Sequence, residues 1–171
     1  MSTWGSNNEE QSPKKNWSRE EARGKLETFC SYQERCAWEL RRKLFEKRIT
    51  GTAVDTILAE LEASGFVDEE RFSRSYARGK FRIKRWGKGR ISQELKLRQI
   101  SSALIQLGLS EIDGDEYFAT LEREAEKKWE KTKEKDAYKK KYLVTQYLMS
   151  KGFEQDLIQE ALSALVSNEN K

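Results

Sequence analysis

The sequence predicts an all-α fold made of several small helical units. Pro13 is the only proline in 171 residues, so no proline interrupts a helix after residue 14. Glu, Lys, Arg, Leu and Ala dominate the rest of the chain, and these residues favour helix. Hydrophobic residues make up only 36% of the chain, the same share as charged residues. That share is low for one large core and favours short helical units stacked on each other.

An apolar pattern that recurs three times supports this prediction. Leu44, Leu95 and Leu148 occupy the same place in successive units, at intervals of 51 and 53 residues. The matched series are Leu40/Leu44, Lys47, Ile49, Ala53/Val54 and Ile57/Leu58, then Ile91/Leu95, Arg98, Ile100, Leu104/Ile105 and Gly108/Leu109, and finally Val144/Leu148, Lys151, Phe153, Leu157/Ile158 and Ala161/Leu162. Each unit is predicted to be a longer helix followed by two shorter helices that a tight turn joins, an arrangement similar to a helix-turn-helix.

One turn position differs between the units. The third unit has Gly152 there, whereas Arg48 and Gln99 occupy it in the first and second units. Glycine adopts the left-handed conformation of a helix end at the lowest cost. We therefore expect the first two turns to differ in detail from the third.

Capping patterns predict the boundaries of the units. Ser18 and Glu21 form a capping box at the start of the first helix. Gly65 is placed to end the third helix, and Asp68–Glu70 put acids at the start of the fourth. The expected organisation is a disordered N-terminal tail (1–17), repeat 1 (18–66), a basic repeat 2 (67–110), repeat 3 (111–166) and a C-terminal tail (167–171). The charge-rich first helix of repeat 3 is expected to be long and exposed.

The strongest charge feature is the segment Arg71–Arg98. It contains eleven Lys and Arg residues and one acid, a net charge of +10, whereas the rest of the chain sums to −6. Such a concentration of positive charge indicates a polyanionic partner. The candidate residues for binding a partner or nucleic acid are Arg71, Arg74, Arg78, Arg82, Arg85, Lys88, Arg90, Lys96 and Arg98.

The first five of these cations should form one row on a helix. At about 100° per residue they fall within an arc of about 80°, and arginine offers a planar donor fork to phosphate or carboxylate. Phe72, Tyr76 and Ile83 are expected to form the apolar side of the same helix. A solvated helix face without a partner is the alternative interpretation of the row. Trp86 is expected either to cover the apolar side of the helix or to stack on a base.

Residues for catalysis or metal binding are scarce in this sequence. The chain has no histidine, the commonest general base and metal ligand. Cys30 and Cys36 are too few to form a structural zinc site alone. Gly87–Gly89 lacks the spacing of a phosphate-binding P-loop and is interpreted as a flexible link between two helices. No catalytic residue, metal or cofactor is therefore expected.

The sequence also suggests where the protein resides. No apolar run approaches the ~18 residues of a membrane span, and the N-terminus lacks the pattern of a secretory signal. Two cysteines that lie close together on a helical stretch fit a reducing compartment. We expect a cytoplasmic monomer without a membrane partner.

Three stretches resemble hallmarks of the RecX family. They are Glu39–Leu44, Gly65–Phe72 and Gly87–Leu95. The second is similar to the family's Gly-aromatic-x-acid-acid-x-Arg-Phe element, and the third to its Gly-x-x-Arg-Ile-x-x-Glu-Leu element. The resemblance covers about residues 18–165. Cys36 departs from the serine that the family usually has at this helix start, and because a thiol caps poorly we expect a weaker start there.

The resemblance implies both a fold and a function. The implied fold is three tandem three-helix repeats in an elongated, curved array. The implied function is that of a non-enzymatic modulator, mainly an inhibitor, of the RecA recombinase. Such a protein binds the RecA–single-stranded DNA filament and restrains its assembly, ATP hydrolysis and strand exchange. It also binds free single-stranded or double-stranded DNA weakly.

Two other functions are consistent with the sequence. A helix-turn-helix regulator would read base edges with the third helix of a repeat, but Ser101–Leu107 offers only Gln106 for that purpose. A helical scaffold without nucleic-acid contact is the second alternative, and the +10 segment argues against it. We therefore expect a recombinase modulator that acts through its basic central repeat.

Overall fold

The computed structural model describes residues 16–169, which form nine α-helices and no strand. The predicted all-α fold of three-helix repeats is confirmed. The tail expected at residues 1–17 lies outside the described residues except for its last two. The helices belong to two compact units, one that ends at Val67 and one that begins at Asp68.

The first unit contains α1 (Arg19–Tyr32), α2 (Ala37–Glu46) and α3 (Thr52–Ala63). Helix α1 begins at the predicted capping box, because Ser18 Oγ accepts the Glu21 amide and the Glu21 carboxylate accepts the Ser18 amide. Helix α2 begins at Cys36, whose thiol makes no capping hydrogen bond, as expected of a poor cap. The core of the unit consists of Ala22, Leu26, Leu40, Leu44, Val54, Ile57, Leu58, Leu61 and Val67.

The second unit begins with α4 (Glu69–Lys84), α5 (Lys88–Leu97) and α6 (Ser102–Leu109). Helix α4 starts at the predicted acids, with Asp68 accepting the Arg71 amide. Its buried side packs closely on α6, where Ser73 Oγ donates to the Leu104 carbonyl at 2.8 Å. The residues of α4 that are buried are Phe72, Ser73, Ala77 and Phe81.

Ile83 corrects the predicted apolar side of α4. Phe72 is buried and Tyr76 is half-buried, but Ile83 is 78% exposed. Ile83 points in nearly the same direction as Phe72 but lies three turns further along the helix. No described side chain covers it there, so direction alone did not decide its burial.

The second unit continues with α7 (Gly114–Lys131), α8 (Ala137–Ser150) and α9 (Gln155–Glu169). Helix α7 is long, as predicted, but it is not exposed all round. Its buried apolar residues Tyr117, Leu121, Ala125 and Trp129 recur at every fourth position, and Thr120 and Glu124 beside them are buried too. This is the spacing of an amphipathic helix. Helix α9 ends within the segment that was expected to be a C-terminal tail.

The predicted repeat is visible in the turns that follow α2, α5 and α8. The amides of Ile49, Ile100 and Phe153 donate to the carbonyls of Leu44, Leu95 and Leu148 at 3.0, 3.1 and 3.2 Å. The residue directly before each of these amides is left-handed in all three turns, with φ of 61° at Arg48, 60° at Gln99 and 94° at Gly152. The expected difference in detail is present beside this shared conformation, because φ is larger at Gly152 than at Arg48 and Gln99. In addition, the Lys151 amide donates to Tyr147, four residues back, whereas the Lys47 and Arg98 amides donate to Leu44 and Leu95, three residues back.

The interpretation of Gly87–Gly89 as a flexible link is wrong. Gly87 is the N-cap of α5 and is buried. Its amide donates to the Lys151 carbonyl at 2.7 Å, and the Gly89 amide donates to the Gly152 carbonyl at 3.0 Å. A Cβ on Gly87 would lie 2.2 Å from the Gly152 carbonyl carbon. The glycines therefore allow the start of α5 to contact the α8–α9 turn directly.

Side chains complete this junction between α5 and the last three helices. Tyr117 Oη accepts the Lys88 amide at 2.9 Å and donates to Glu154 at 2.5 Å. Burial and the bond to Glu154 raise the pKa of Tyr117, so its hydroxyl stays protonated. The Tyr117 ring lies 5.8 Å from the Phe81 ring and 5.3 Å from the Phe153 ring, centroid to centroid. Both contacts have the spacing of favourable aromatic pairs.

Candidate functional site

The structure leaves all five arginines of the predicted row outside the buried core. Arg71, Arg82 and Arg85 are exposed, and Arg74 and Arg78 are half-buried. The buried residues of the same helix are Phe72, Ser73, Ala77 and Phe81. These five arginines, from the first turn of α4 to the residue that caps its C-terminal end, are together named the basic ridge.

Acidic groups occupy the N-terminal half of this ridge. Arg74 contacts Glu70 at 2.9 Å and Glu111 at 2.6 Å, and Arg78 contacts the second oxygen of Glu111 at 2.8 Å. Hydrogen bonds from Arg78 and Arg74 hold the pKa of Glu111 below its usual value, although partial burial opposes them. Arg71 lies 3.9 Å from Asp68. These arginines already have carboxylate partners within the protein.

The C-terminal half of the ridge is different. Arg82 and Arg85 are exposed, and neither has an ion-pair partner among residues 16–169. Lys84 lies between them in sequence and is also exposed. Arg85 ends the helix in a left-handed conformation with φ of 56°. Its amide donates to the Phe81 carbonyl at 3.0 Å, and the Trp86 amide donates to the Lys80 carbonyl at 3.3 Å. The backbone thus fixes the position of Arg85 while its guanidinium is left available.

The four remaining candidate cations, on α5 and at its C-terminal end, have different surroundings. Lys88 Nζ lies 4.9 Å from the centroid of the Tyr117 ring. Lys96 is exposed, whereas Arg98 is half-buried and pairs with Glu94 at 2.8 Å. Lys96 is thus available in the same sense as Arg82, and Arg98 is not.

Trp86 connects the two helices at the end of the ridge. The ring is half-buried, with the Arg90 guanidinium carbon 4.1 Å and Lys80 Nζ 5.1 Å from its centroid. Cations close to an aromatic ring are attracted by its quadrupole. Arg90 is held further by a 3.5 Å contact to the Ser150 carbonyl. Trp86 therefore orders the cations beside it.

Sequence reasoning did not identify Glu111 or Lys80 as part of this surface. Glu111 lies 33 and 37 residues from the two arginines that it binds, and nothing in the local sequence indicates such a pairing. Lys80 was visible as a member of the +10 segment, but its place beside Trp86 depends on the turn between α4 and α5. No group of three or more metal-ligating side chains occurs in the described part of the chain. None of its helices is long and apolar enough to cross a bilayer.

Comparisons with known proteins agree with the repeat structure. Two family models match: "RecX, second three-helix domain" over residues 68–109, and "RecX, third three-helix domain" over residues 115–162. Among solved structures, a crystal structure of a regulatory protein RecX matches with a TM-score of 0.78 and 22% identity, covering 85% of this chain and 73% of that one. RecX from Lactobacillus salivarius matches with a TM-score of 0.74 and 20% identity, covering 86% and 96%. At these identities, the two structures support the fold.

Curated relatives extend the match beyond the fold. Regulatory protein RecX of Haemophilus influenzae is 33% identical over 127 residues, which cover 74% of this chain and 82% of that protein. Regulatory protein RecX of Enterococcus faecalis is 36% identical over 140 residues, which cover 80% and 52%. These relatives are named as regulatory proteins and not as enzymes. On this evidence the chain belongs to the RecX family of regulatory proteins.

Proposed function

We propose that the protein is a non-enzymatic modulator, mainly an inhibitor, of the RecA recombinase. In this proposal the basic surface of α4 and α5 binds the RecA–single-stranded DNA filament. The observation that carries the proposal is the pair Arg82 and Arg85, which are exposed and without ion-pair partners in residues 16–169. A guanidinium that no internal carboxylate occupies can form charge-assisted hydrogen bonds to phosphates or carboxylates of a partner.

The nine candidate cations would not contribute equally. Arg74, Arg78 and Arg98 are already bound to carboxylates, so contact with a partner would require them to exchange one ion pair for another. Arg82, Arg85 and Lys96 can bind without that exchange. We therefore place the main contact at the C-terminal end of α4 and on α5, with Arg74 and Arg78 supporting the surface from within.

A regulator that reads a specific DNA site is the competing proposal, and the third helix of the basic repeat argues against it. Helix α6 carries no Lys or Arg between Ser102 and Leu109, and Gln106 is its one exposed amide side chain. Base readout needs several such donors and acceptors on one helix. Binding to free DNA should instead be weak, tolerant of sequence and strongly dependent on salt, because phosphate contacts would supply it.

The decisive experiment measures inhibition of DNA-dependent ATP hydrolysis and strand exchange by RecA. The double variant Arg82→Glu/Arg85→Glu should inhibit at least about tenfold less well, because two charge-assisted contacts become repulsive. The matched control is Lys127→Glu/Lys131→Glu, which makes the same change in net charge at two exposed positions of α7. This control should inhibit nearly as well as the wild type.

The outcomes of this comparison are distinct. Equal loss in both double variants would show that net charge acts at long range and that no local surface is involved. Full inhibition by the arginine variant would refute the proposed surface. Reversal of Arg74 and Arg78 is a poorer test, since it would also break the pairs with Glu111.

A further inference from the structure

Helix α8 carries an exposed stripe of large side chains that the proposed function does not use. Tyr138 is 81% exposed, Tyr142 58% and Met149 43%. At about 100° per residue these three lie within an arc of about 40°. The buried residues Val144 and Leu148 lie on another side of the helix. Single exposed apolar residues need no explanation, but several along one face indicate a binding surface.

Lysines flank this stripe. Lys139 and Lys141 project about 80° to either side of its centre, and neither has an ion-pair partner in the part of the chain that the structure describes. Two more exposed lysines, Lys133 and Lys135, precede the helix. Residues 132–142 contain five lysines and only two acids. The stripe is thus an aromatic surface within a basic one.

One lysine of the same segment has a different role and marks the opposite side of α8. Lys140 Nζ lies 4.4 Å from the centroid of the Trp129 ring, and Trp129 is buried in α7. The tyrosine rings have no such contact with the core, since both are largely exposed. Folding therefore does not account for their place on the surface.

We infer that this face of α8 binds single-stranded nucleic acid, with Tyr138 and Tyr142 stacking on bases and Lys139 and Lys141 contacting phosphates. Rings four residues apart on a helix are neighbours on one face, so successive bases can reach both. Aromatic stacking is available to unpaired bases of any sequence, and lysines beside it supply the phosphate contacts. An apolar protein partner would bury the lysines without a counter-charge, whereas a polyanion supplies that charge.

This inference deepens the proposed function, because it adds a second surface, on another helix, where unpaired bases stack in addition to the phosphate contacts of free DNA. The test is fluorescence anisotropy with a labelled oligothymidylate and, separately, a labelled duplex of equal length, using the full chain alone. A ring that stacks on a base contributes a factor of about five to 150 in affinity. The double variant Tyr138→Ala/Tyr142→Ala should therefore bind the oligothymidylate at least about tenfold more weakly, with duplex binding nearly unchanged.

Three further variants identify the cause of such a loss. Tyr138→Phe/Tyr142→Phe keeps both rings and should bind like the wild type. Tyr32→Ala removes a tyrosine that is 87% exposed at the end of α1, between Ser31 and Gln33, and should also bind like the wild type. Lys139→Gln/Lys141→Gln should lower the salt dependence of log K by about 1.4, the value for two phosphate contacts on a single strand. Thermal melts monitored by circular dichroism confirm that each variant is folded.

Several results would overturn the inference. These are unchanged oligothymidylate binding in the tyrosine-to-alanine variant, an equal loss for the duplex, or an equal loss in the Tyr32 control. A variant that binds the oligothymidylate normally but no longer inhibits RecA would show that the stripe contacts a protein. Because the α4 variants Arg82→Glu/Arg85→Glu leave the stripe intact, failure of this inference and failure of the proposed function are distinguishable.

Discussion

A single methyl group at Gly87 tests the junction that holds the basic helices α4 and α5 in place. A Cβ on this residue would lie 2.2 Å from the carbonyl carbon of Gly152, 2.3 Å from its oxygen and 2.4 Å from the Phe153 nitrogen. All three are backbone atoms, so no side-chain rotation relieves the overlap. The Gly87→Ala variant must therefore separate the start of α5 from the α8–α9 turn.

The cost of that separation follows from the contacts that it breaks. The Gly87 amide would lose its 2.7 Å bond to Lys151, and the Gly89 amide its 3.0 Å bond to Gly152. A net loss of about 0.5–1.5 kcal/mol for each of the two hydrogen bonds, added to an overpacking cost of about 1–3 kcal/mol, gives a destabilisation of about 2–6 kcal/mol. For a unit of this size each kcal/mol lowers the melting temperature by about 4–8 °C.

The matched control adds the same methyl group where there is room for it. Gly79 lies inside α4 and has no atom within 4 Å of an added Cβ, so Gly79→Ala should stabilise the protein by about 0.5–1 kcal/mol. Thermal and urea unfolding measure both changes, and hydrogen exchange at the Gly87 amide locates the loss. A Gly87→Ala variant that melts at or above the wild-type temperature would refute the close contact at this junction. It would support the interpretation of Gly87–Gly89 as a flexible link.

Two other changes test particular features of the second unit. Gln99→Gly should raise the free energy of unfolding by about 0.5–1 kcal/mol, because a residue with φ of 60° is strained unless it is glycine. Urea unfolding measures this change. A lower free energy of unfolding would show that the glutamine side chain stabilises the fold by more than its backbone strain costs. Glu111→Gln should lower stability at neutral pH, since Arg78 and Arg74 depress the pKa of Glu111. A depressed pKa gives stability that is present above the unfolded pKa and is lost as pH falls through the folded pKa. The difference between wild type and variant in urea unfolding should therefore shrink between neutral and strongly acidic pH, and a constant difference would contradict this reasoning.

Helix boundaries were the most predictable part of the fold, because they depend on residues that are close in sequence. The capping box at Ser18, the acids at Asp68 and the glycine at Gly65 each act within four residues of the helix end that they define. The repeat was predictable for a related reason. Its apolar positions recur with constant spacing, and each unit must bury the same helical faces.

Contacts between distant segments were not predictable from the same information. Whether Gly87–Gly89 is a flexible link or a close contact depends on Gly152, which is more than sixty residues away. The availability of the ridge arginines to a partner is a similar case. The five arginines looked alike in sequence, but Glu111, in the connection between α6 and α7, forms ion pairs with two of them. Composition gives the charge of a segment, while its availability depends on tertiary structure.

The position of the available cations nevertheless has a local physical reason. The macrodipole of α4 favours acids in its first turn and cations in its last. Accordingly Glu69 and Glu70 lie at its start, and Arg82 and Lys84 at its end. Cations at the start of the helix need carboxylate partners, whereas those at the end are stabilised by the helix itself and can stay unpaired. Replacing one of them should cost only about 0.3–1 kcal/mol of stability, so loss of inhibition in the Arg82→Glu/Arg85→Glu variant would report on binding and not on unfolding.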